Sequence, residues 1–423
     1  MSTLLIEGGR RLSGTITVEG NKNAALPLLA ACLLTDQPCE LTNMPRITDV
    51  GVMAELLVGC GAEVEGIGTS TIRVCCKNVT SSRPDPKLVG RLRGSILLMG
   101  PLLARLGEVR LAPPGGDFPS RRSIGTHVQA LVHLGARILD ESGYNLDAPE
   151  GLKGASFYLD EASVTGTETA LLAAAATDGV TEIRHAATEP HVVELCEFLQ
   201  AMGVGIEGAG TSTVRVHGNG AGTGRRTGAS HRLSGDYIEA GSWAVLAAVT
   251  RGSIEIRGVR PLDLEPVTAV MTRMKVSCQM SGDCLTVQES RPEAIRPLTT
   301  GLWPGFPSDM VSLVTVLATQ ADGRTLIHDW MYELRLFALE QLSGMRADLF
   351  LCDPHRIVVS GPTKLRGRSL DSRDLRSGMA LIAAALAADG QSQLASLEHV
   401  QRGYAHVVER LTSLGAQVAV AGE

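Results

Sequence analysis

Two stretches of the chain nearly repeat one another: Gly61-Ala62-Glu63-Val64-Glu65 followed by Gly68-Thr69-Ser70-Thr71-Ile72-Arg73-Val74, and Met202-Gly203-Val204-Gly205-Ile206-Glu207 followed by Gly210-Thr211-Ser212-Thr213-Val214-Arg215-Val216. Each reads as a helix end capped by glycine at positive φ, then a strand, a Gly/Ser/Thr turn and a second, alternating strand. Shorter copies stand at Leu134-Gly135-Ala136, Met274-Lys275-Val276, Met345-Arg346-Ala347 and Leu414-Gly415-Ala416, about 70 residues apart along the chain. One such phrase occurs in any α/β protein; six in step are a repeat. Between them lie Ala/Leu-rich helical runs such as 24–34, 169–176 and 379–388. The pattern predicts six α/β units of βαβ type, three per domain.

The remaining arithmetic agrees. A chain of 423 residues is too long for one core. With 44% hydrophobic and 20% charged residues it is an ordinary globular protein rather than a disordered one. A net charge of −6 provides no general field for nucleic acid, so an anionic ligand must meet a local basic cluster. The nine cysteines form no zinc spacing and are expected to be buried, reduced thiols. No signal peptide or apolar span is evident, so the expected setting is the cytoplasm, away from membranes. The polar stretch Gly218 to Gly235, with Arg225, Arg226, His231 and Arg232, reads equally well as a hinge and as a solvated loop.

Several strings carry candidate chemistry. Asn21-Lys22-Asn23 precedes an apolar helix, where amide donors and a lysine suit a phosphate or carboxylate; a capped helix with a solvated lysine fits the same letters. Pro113 to Arg122 is a tight loop in which Gly115-Gly116 permits close backbone approach, Asp117 offers an acid, and Arg121 and Arg122 offer planar forks. Asp309, ahead of another apolar helix, is either an N-cap or a general base. Arg335, Arg376 and Arg402 each stand near a helical start, where arginines are commonly solvated.

Read together, these strings resemble the enolpyruvyltransferases. The resemblance runs from Lys22-Asn23-Ala24-Ala25-Leu26-Pro27 through Arg93-Gly94-Ser95, Ser163-Val164-Thr165-Gly166-Thr167-Glu168, Glu189-Pro190, Ile238-Glu239-Ala240-Gly241, Phe306-Pro307-Ser308-Asp309-Met310 and Asp374-Leu375-Arg376 to Gln401-Arg402-Gly403-Tyr404. It favours the branch acting on UDP-N-acetylglucosamine over the one acting on shikimate 3-phosphate. It implies a two-domain inside-out α/β barrel of six repeats, with one domain at 22–233 carrying a lid loop at 113–122, the other formed by 1–21 and 234–423, and reactants held in the cleft between them.

The implied reaction moves the enolpyruvyl group of phosphoenolpyruvate to a sugar 3-hydroxyl by addition and elimination, with no cofactor and no metal. Lys22, Arg122 and Arg402 are implied at the phosphate, with Arg93, Arg335 and Arg376 nearby. Asn23, Ser163, Val164, His127 and Met331 are implied on the substrates, and Asp309 as the base for the hydroxyl. Asp117 stands where most members have a proton-donating cysteine. An aspartate acting as an acid at pH 7 needs a pKa about 3 above its usual 3.9, on the order of 4 kcal/mol. Without that thiol, insensitivity to fosfomycin is implied. Ser123-Ile124-Gly125-Thr126, Glu161, His191, Leu334 and Gln401 also depart from the common pattern, which leaves two alternatives in view: another nucleotide acceptor, or a non-catalytic nucleotide-sugar-binding paralogue. A monomer is expected.

Overall fold

The computed structural model describes residues 2–115, 123–220, 222–332 and 335–421. The chain divides into two compact units, Gly20–Ser234 and a second made of Met1–Glu19 with Gly235–Glu423. The crossings therefore fall at 19/20 and 234/235, one or two residues from the positions implied by the resemblance. Asn21 goes with the first unit because its N–H donates to Ser234 O at 2.8 Å and its side chain caps the helix Lys22–Ala31.

Each unit has three central helices that are buried on almost every side. In the first unit these are Lys22–Ala31, Met99–Leu106 and Val164–Ala174. In the second they are Tyr237–Val249, Val311–Thr319 and Leu375–Ala387, which pack pairwise against one another. Two hydroxyls of the second unit's helices bond within the helix: Ser242 Oγ donates to Ile238 O at 2.6 Å and Thr315 Oγ1 to Val311 O at 2.7 Å.

Among the described residues six small sheets accompany these helices, five of four strands and one of three. Their strands alternate in burial, as in Thr71–Cys75 and Ser253–Arg257, so each sheet has one face inward and one outward. In the second unit the chain's own N-terminus completes two of them. Thr3–Glu7 lies between Gln391–Ala395 and Gln417–Ala421, and Ser13–Thr17 runs parallel to Ser253–Arg257.

The repeat is visible at atomic level. The six aligned positions, Gly61, Gly135, Gly203, Lys275, Arg346 and Gly415, all adopt positive φ, between 61° and 106°. After each, the next N–H donates back to the helix in the same way: Ala62 to Leu57 O, Ala136 to Leu131 O, Val204 to Leu199 O, Val276 to Met271 O, Ala347 to Leu342 O and Ala416 to Leu411 O, at 2.9–3.0 Å. This closure of the helix end holds the left-handed backbone even where Lys275 and Arg346 replace glycine.

Two readings of the sequence are corrected here. The stretch 218–235 is not simply solvated: Arg226 is 2% exposed, and its guanidinium donates to Leu34 O, Ala175 O, Asn219 Oδ1, Gly220 O and Gly222 O at 2.6–3.3 Å. Burial is the leading cause that brings its pKa down to about 10. Among the cysteines, Cys32, Cys39, Cys60, Cys76 and Cys196 are buried thiols, but Cys352 is exposed. No helix among the described residues is long and apolar enough to cross a membrane.

Candidate active site

In the second unit the site forms around Asp309. This residue lies in the short turn Ser308–Met310 ahead of Val311–Thr319, and neither element start shows a side-chain cap bond, so the N-cap reading does not hold. Its carboxylate instead receives two arginines. Arg376 donates to Oδ2 from Nε at 3.1 Å and Nη2 at 2.9 Å, and Arg335 donates to Oδ1 from Nη1 at 3.1 Å. Asp374 caps the helix Leu375–Ala387 through the N–H groups of Arg376 and Ser377. That cap starts the helix where Arg376 turns inward, and the arginine is 6% exposed.

Burial works against the charged form of Arg376. The Asp309 carboxylate, with Tyr404 and Asp236, outweighs it and leaves the guanidinium pKa raised; for Arg335 burial is likewise outweighed, by Asp309 with Tyr332, Asp329 and Asp374. The shell behind them is specific. Arg376 Nη1 reaches Tyr404 OH at 3.3 Å, which pairs with Ser242 Oγ at 2.7 Å. The Arg335 guanidinium lies 4.4 Å from the centre of the Tyr332 ring. Arg335 Nη1 also donates to Ser308 Oγ at 2.8 Å, and that hydroxyl donates to Asp329 Oδ2 at 2.6 Å. Met331 follows directly, its N–H donating to Asp329 Oδ1 at 3.3 Å. Arg402, at the end of Leu397–Gln401, is half-buried.

In the first unit the site forms around Lys22, the first residue of its helix. Lys22 is 9% exposed and ion-paired through Nζ to Asp49 Oδ2 at 2.8 Å, so it is not a solvated lysine. The Asn21 side chain accepts from Asn23 N at 2.9 Å and thereby sets the helix start that carries both Lys22 and Asn23. Ser163 caps the helix beginning at Val164, accepting from Gly166 N at 3.2 Å. His127 Nε2 lies 2.9 Å from Thr165 Oγ1 on that same helix. Burial, then the positive charge of Arg93, pushes the His127 imidazole down to about 3 against a hydrogen bond at the Ile124 backbone. It is therefore neutral at pH 7. Arg93 opens the turn Arg93–Leu98 and is half-buried. Glu168, wholly buried one turn into the Val164 helix, is pushed above the usual carboxylate range by burial and then by Glu189.

Asp117 and Arg122 lie outside the described residues. At the near edge of their loop, Gly115 N donates to Val89 O at 3.2 Å, and a Cβ there would fall 2.0 Å from Gly90 O. The glycine thus serves a backbone approach within the protein. Among the described residues no group of three His, Cys, Asp or Glu side chains is placed to hold a metal ion.

Asp49, Asp329 and Tyr404 were not singled out from the sequence. Asp49 reads locally as an acid in a helix's first turn and Asp329 as a turn residue after a strand. Nothing near them in sequence signals Lys22 or Ser308.

Comparison with known proteins gives one consistent family. The family described as EPSP synthase (3-phosphoshikimate 1-carboxyvinyltransferase) matches residues 6–411. A UDP-N-acetylglucosamine 1-carboxyvinyltransferase of Bradyrhizobium diazoefficiens is 44% identical over 98% of this chain and 97% of its own length. One of Treponema denticola is 42% identical over 99% of each. Among solved structures, the enolpyruvyl transferase NikO from Streptomyces tendae superposes with a TM-score of 0.88 at 27% identity, covering 99% of this chain and 98% of that one. An EPSP synthase from Acinetobacter baumannii, at 18% identity and a TM-score of 0.76 over the whole of both chains, shares the fold. The matches span nearly the whole chain, and it belongs to the EPSP synthase family of enolpyruvyltransferases.

Proposed function

We propose that this protein transfers the enolpyruvyl group of phosphoenolpyruvate to the 3-hydroxyl of UDP-N-acetylglucosamine, releasing phosphate. The observation that carries this is the 44% identity, over nearly the whole of both chains, with a relative of that name. The arrangement around Asp309 supports it. Adding a sugar hydroxyl to C2 of phosphoenolpyruvate requires a base for the hydroxyl proton and a proton for the methylene carbon; phosphate then leaves from the tetrahedral ketal as the newly formed methyl group gives a proton back, restoring the methylene.

Asp309, fixed from two sides by guanidinium groups, takes the hydroxyl proton in this reading. Lys22, Arg122 and Arg402 hold the phosphate and Asp117 exchanges the methylene proton. Arg93, Arg335 and Arg376 supply positive charge for the carboxylate and diphosphate. Asn23, His127, Ser163, Val164 and Met331 position the sugar nucleotide. The product is a precursor of peptidoglycan, which ties the activity to cell wall, cell shape and cell division. A cytoplasmic monomer that binds neither nucleic acid nor membrane completes the reading.

The test is phosphate release from phosphoenolpyruvate with a panel of acceptors. Release with UDP-N-acetylglucosamine, and none with shikimate 3-phosphate, is the expected result. Release with shikimate 3-phosphate alone, or with no acceptor tried, overturns the reading.

A further inference from the structure

Asp329 is a carboxylate with no exposed surface in the second unit. It stands just past the end of the strand Gly323–His328, which runs parallel to Leu298–Thr299 with Thr299 opposite His328. Its backbone is tied on both sides to His355: Asp329 N donates to His355 O at 2.8 Å, and His355 Nδ1 lies 2.7 Å from Asp329 O. The carboxylate therefore has a fixed place. It accepts from Thr300 Oγ1 at 2.9 Å, Ser308 Oγ at 2.6 Å and Met331 N at 3.3 Å.

The Ser308 contact matters because a hydroxyl has one hydrogen to give and lone pairs to receive with. Ser308 Oγ is the donor to Asp329 Oδ2, so that hydrogen goes to the carboxylate. The Ser308 lone pairs are then aimed at Arg335 Nη1, 2.8 Å away, and the same Nη1 reaches Asp309 Oδ1 at 3.1 Å. A buried carboxylate costs stability unless its oxygens are hydrogen-bonded, and here Thr300, Ser308 and Met331 supply the bonds.

We infer that Asp329 is a positioning residue for the transfer reaction, setting the direction of the Ser308 hydroxyl so that Arg335 is held on the base Asp309. This rests on the proposed role of Asp309. With Asp329→Asn the amide can donate to Ser308, whose own hydrogen then competes with Arg335. The arginine loses its second anchor but keeps its ion pair with Asp309, so its charge stays beside the substrates and what changes is how firmly it holds the base.

The experiment is a cycle of Asp329→Asn, Ser308→Ala and the double variant, each read for kcat, for KM of both substrates and for thermal midpoint. Each single change is expected to lower kcat about tenfold, the effect of one misdirected hydrogen bond to a charged group, with both KM values within about twofold. The double variant is expected to match the worse single variant, since the two changes cut one relay. Multiplying losses, or a loss confined to KM, overturn the inference. If Asp329→Asn does not fold, Ser308→Ala decides alone: a tenfold drop in kcat at unchanged KM supports the relay, and an unchanged kcat refutes it. Asp309→Asn runs beside them. A wild-type rate in that variant removes the proposed base, whereas a dead Asp309→Asn with an additive cycle removes only the relay.

Discussion

The two units are built from the same repeat but arrange charge differently at their polar centres. In Gly20–Ser234 a lysine leans on one carboxylate, Lys22 on Asp49; in the other unit one carboxylate, Asp309, sits between Arg335 and Arg376. Buried ion pairs are poor sources of stability, because desolvating both charges offsets most of their attraction. Their presence at matching places, each at or just ahead of the start of a central helix, is better accounted for by chemistry than by folding. The difference between them shows how tightly each charge is committed. Asp309 keeps a guanidinium if one arginine is altered, whereas the Lys22–Asp49 ion pair is lost if either residue is altered.

The largest expected effect tests that asymmetry. Asp49→Asn removes the buried ion pair with Lys22 and is expected to cost up to about 3–5 kcal/mol in denaturant unfolding. Arg335→Lys leaves Arg376 on Asp309 and is expected to cost about half that or less. Equal losses in the two variants would erase the distinction drawn here.

A second effect belongs to the first unit. His127 is neutral in the fold, with its pKa brought down to about 3, whereas the unfolded chain protonates it near 6.5. The unfolded state thus gains a proton that the native state refuses. This contribution to stability is complete above about pH 6.5 and declines as pH falls toward 3, by up to about 1.4 kcal/mol per pH unit. His127→Gln is expected to flatten that slope in unfolding measured at pH 4, 5 and 6. An unchanged slope would mean that His127 is not the group refusing the proton.

The smallest effect sharpens the comparison of backbones. At the three repeat positions of the first unit the left-handed helix end is glycine, but the second unit has Lys275 and Arg346 at two of its three repeat positions. Lys275→Gly is expected to stabilise by up to about 1 kcal/mol, since a non-glycine residue in this region costs about 1–2 kcal/mol. The converse is graded. Gly203→Ala adds a Cβ with nothing within 4 Å and incurs only that backbone cost, whereas Gly61→Ala brings its Cβ to 2.6 Å from Asn78 O and is expected to cost more. A stabilising Gly61→Ala would contradict the placement of the repeat.

How much of this was readable in sequence follows from range. The repeat was legible because a helix end and its following strand are local, and their letters recur even where glycine is lost at 275 and 346. The roles of single charges were less legible. The local letters around Asp309 favoured a helix cap and those around Arg376 a solvated arginine, because their partnership spans two repeats that only folding brings together. Arg226 reads as part of a soluble loop for the same reason: the carbonyls that receive it, at Leu34 and Ala175, are far away in sequence. The family resemblance supplied roles for residues such as Lys22 and Asp309, but not for Asp49 or Asp329, whose purpose is visible only as contacts.

The account turns on Asp309 as the group that takes the hydroxyl proton while two arginines fix its place. The most direct measurement is rapid-quench phosphate release by Asp309→Asn, with phosphoenolpyruvate and UDP-N-acetylglucosamine saturating and the fold checked by circular dichroism. The account predicts release at least about a hundredfold slower than wild type, the usual contribution of a positioned base, with UDP-N-acetylglucosamine still bound. Release at the wild-type rate from a folded variant would contradict it.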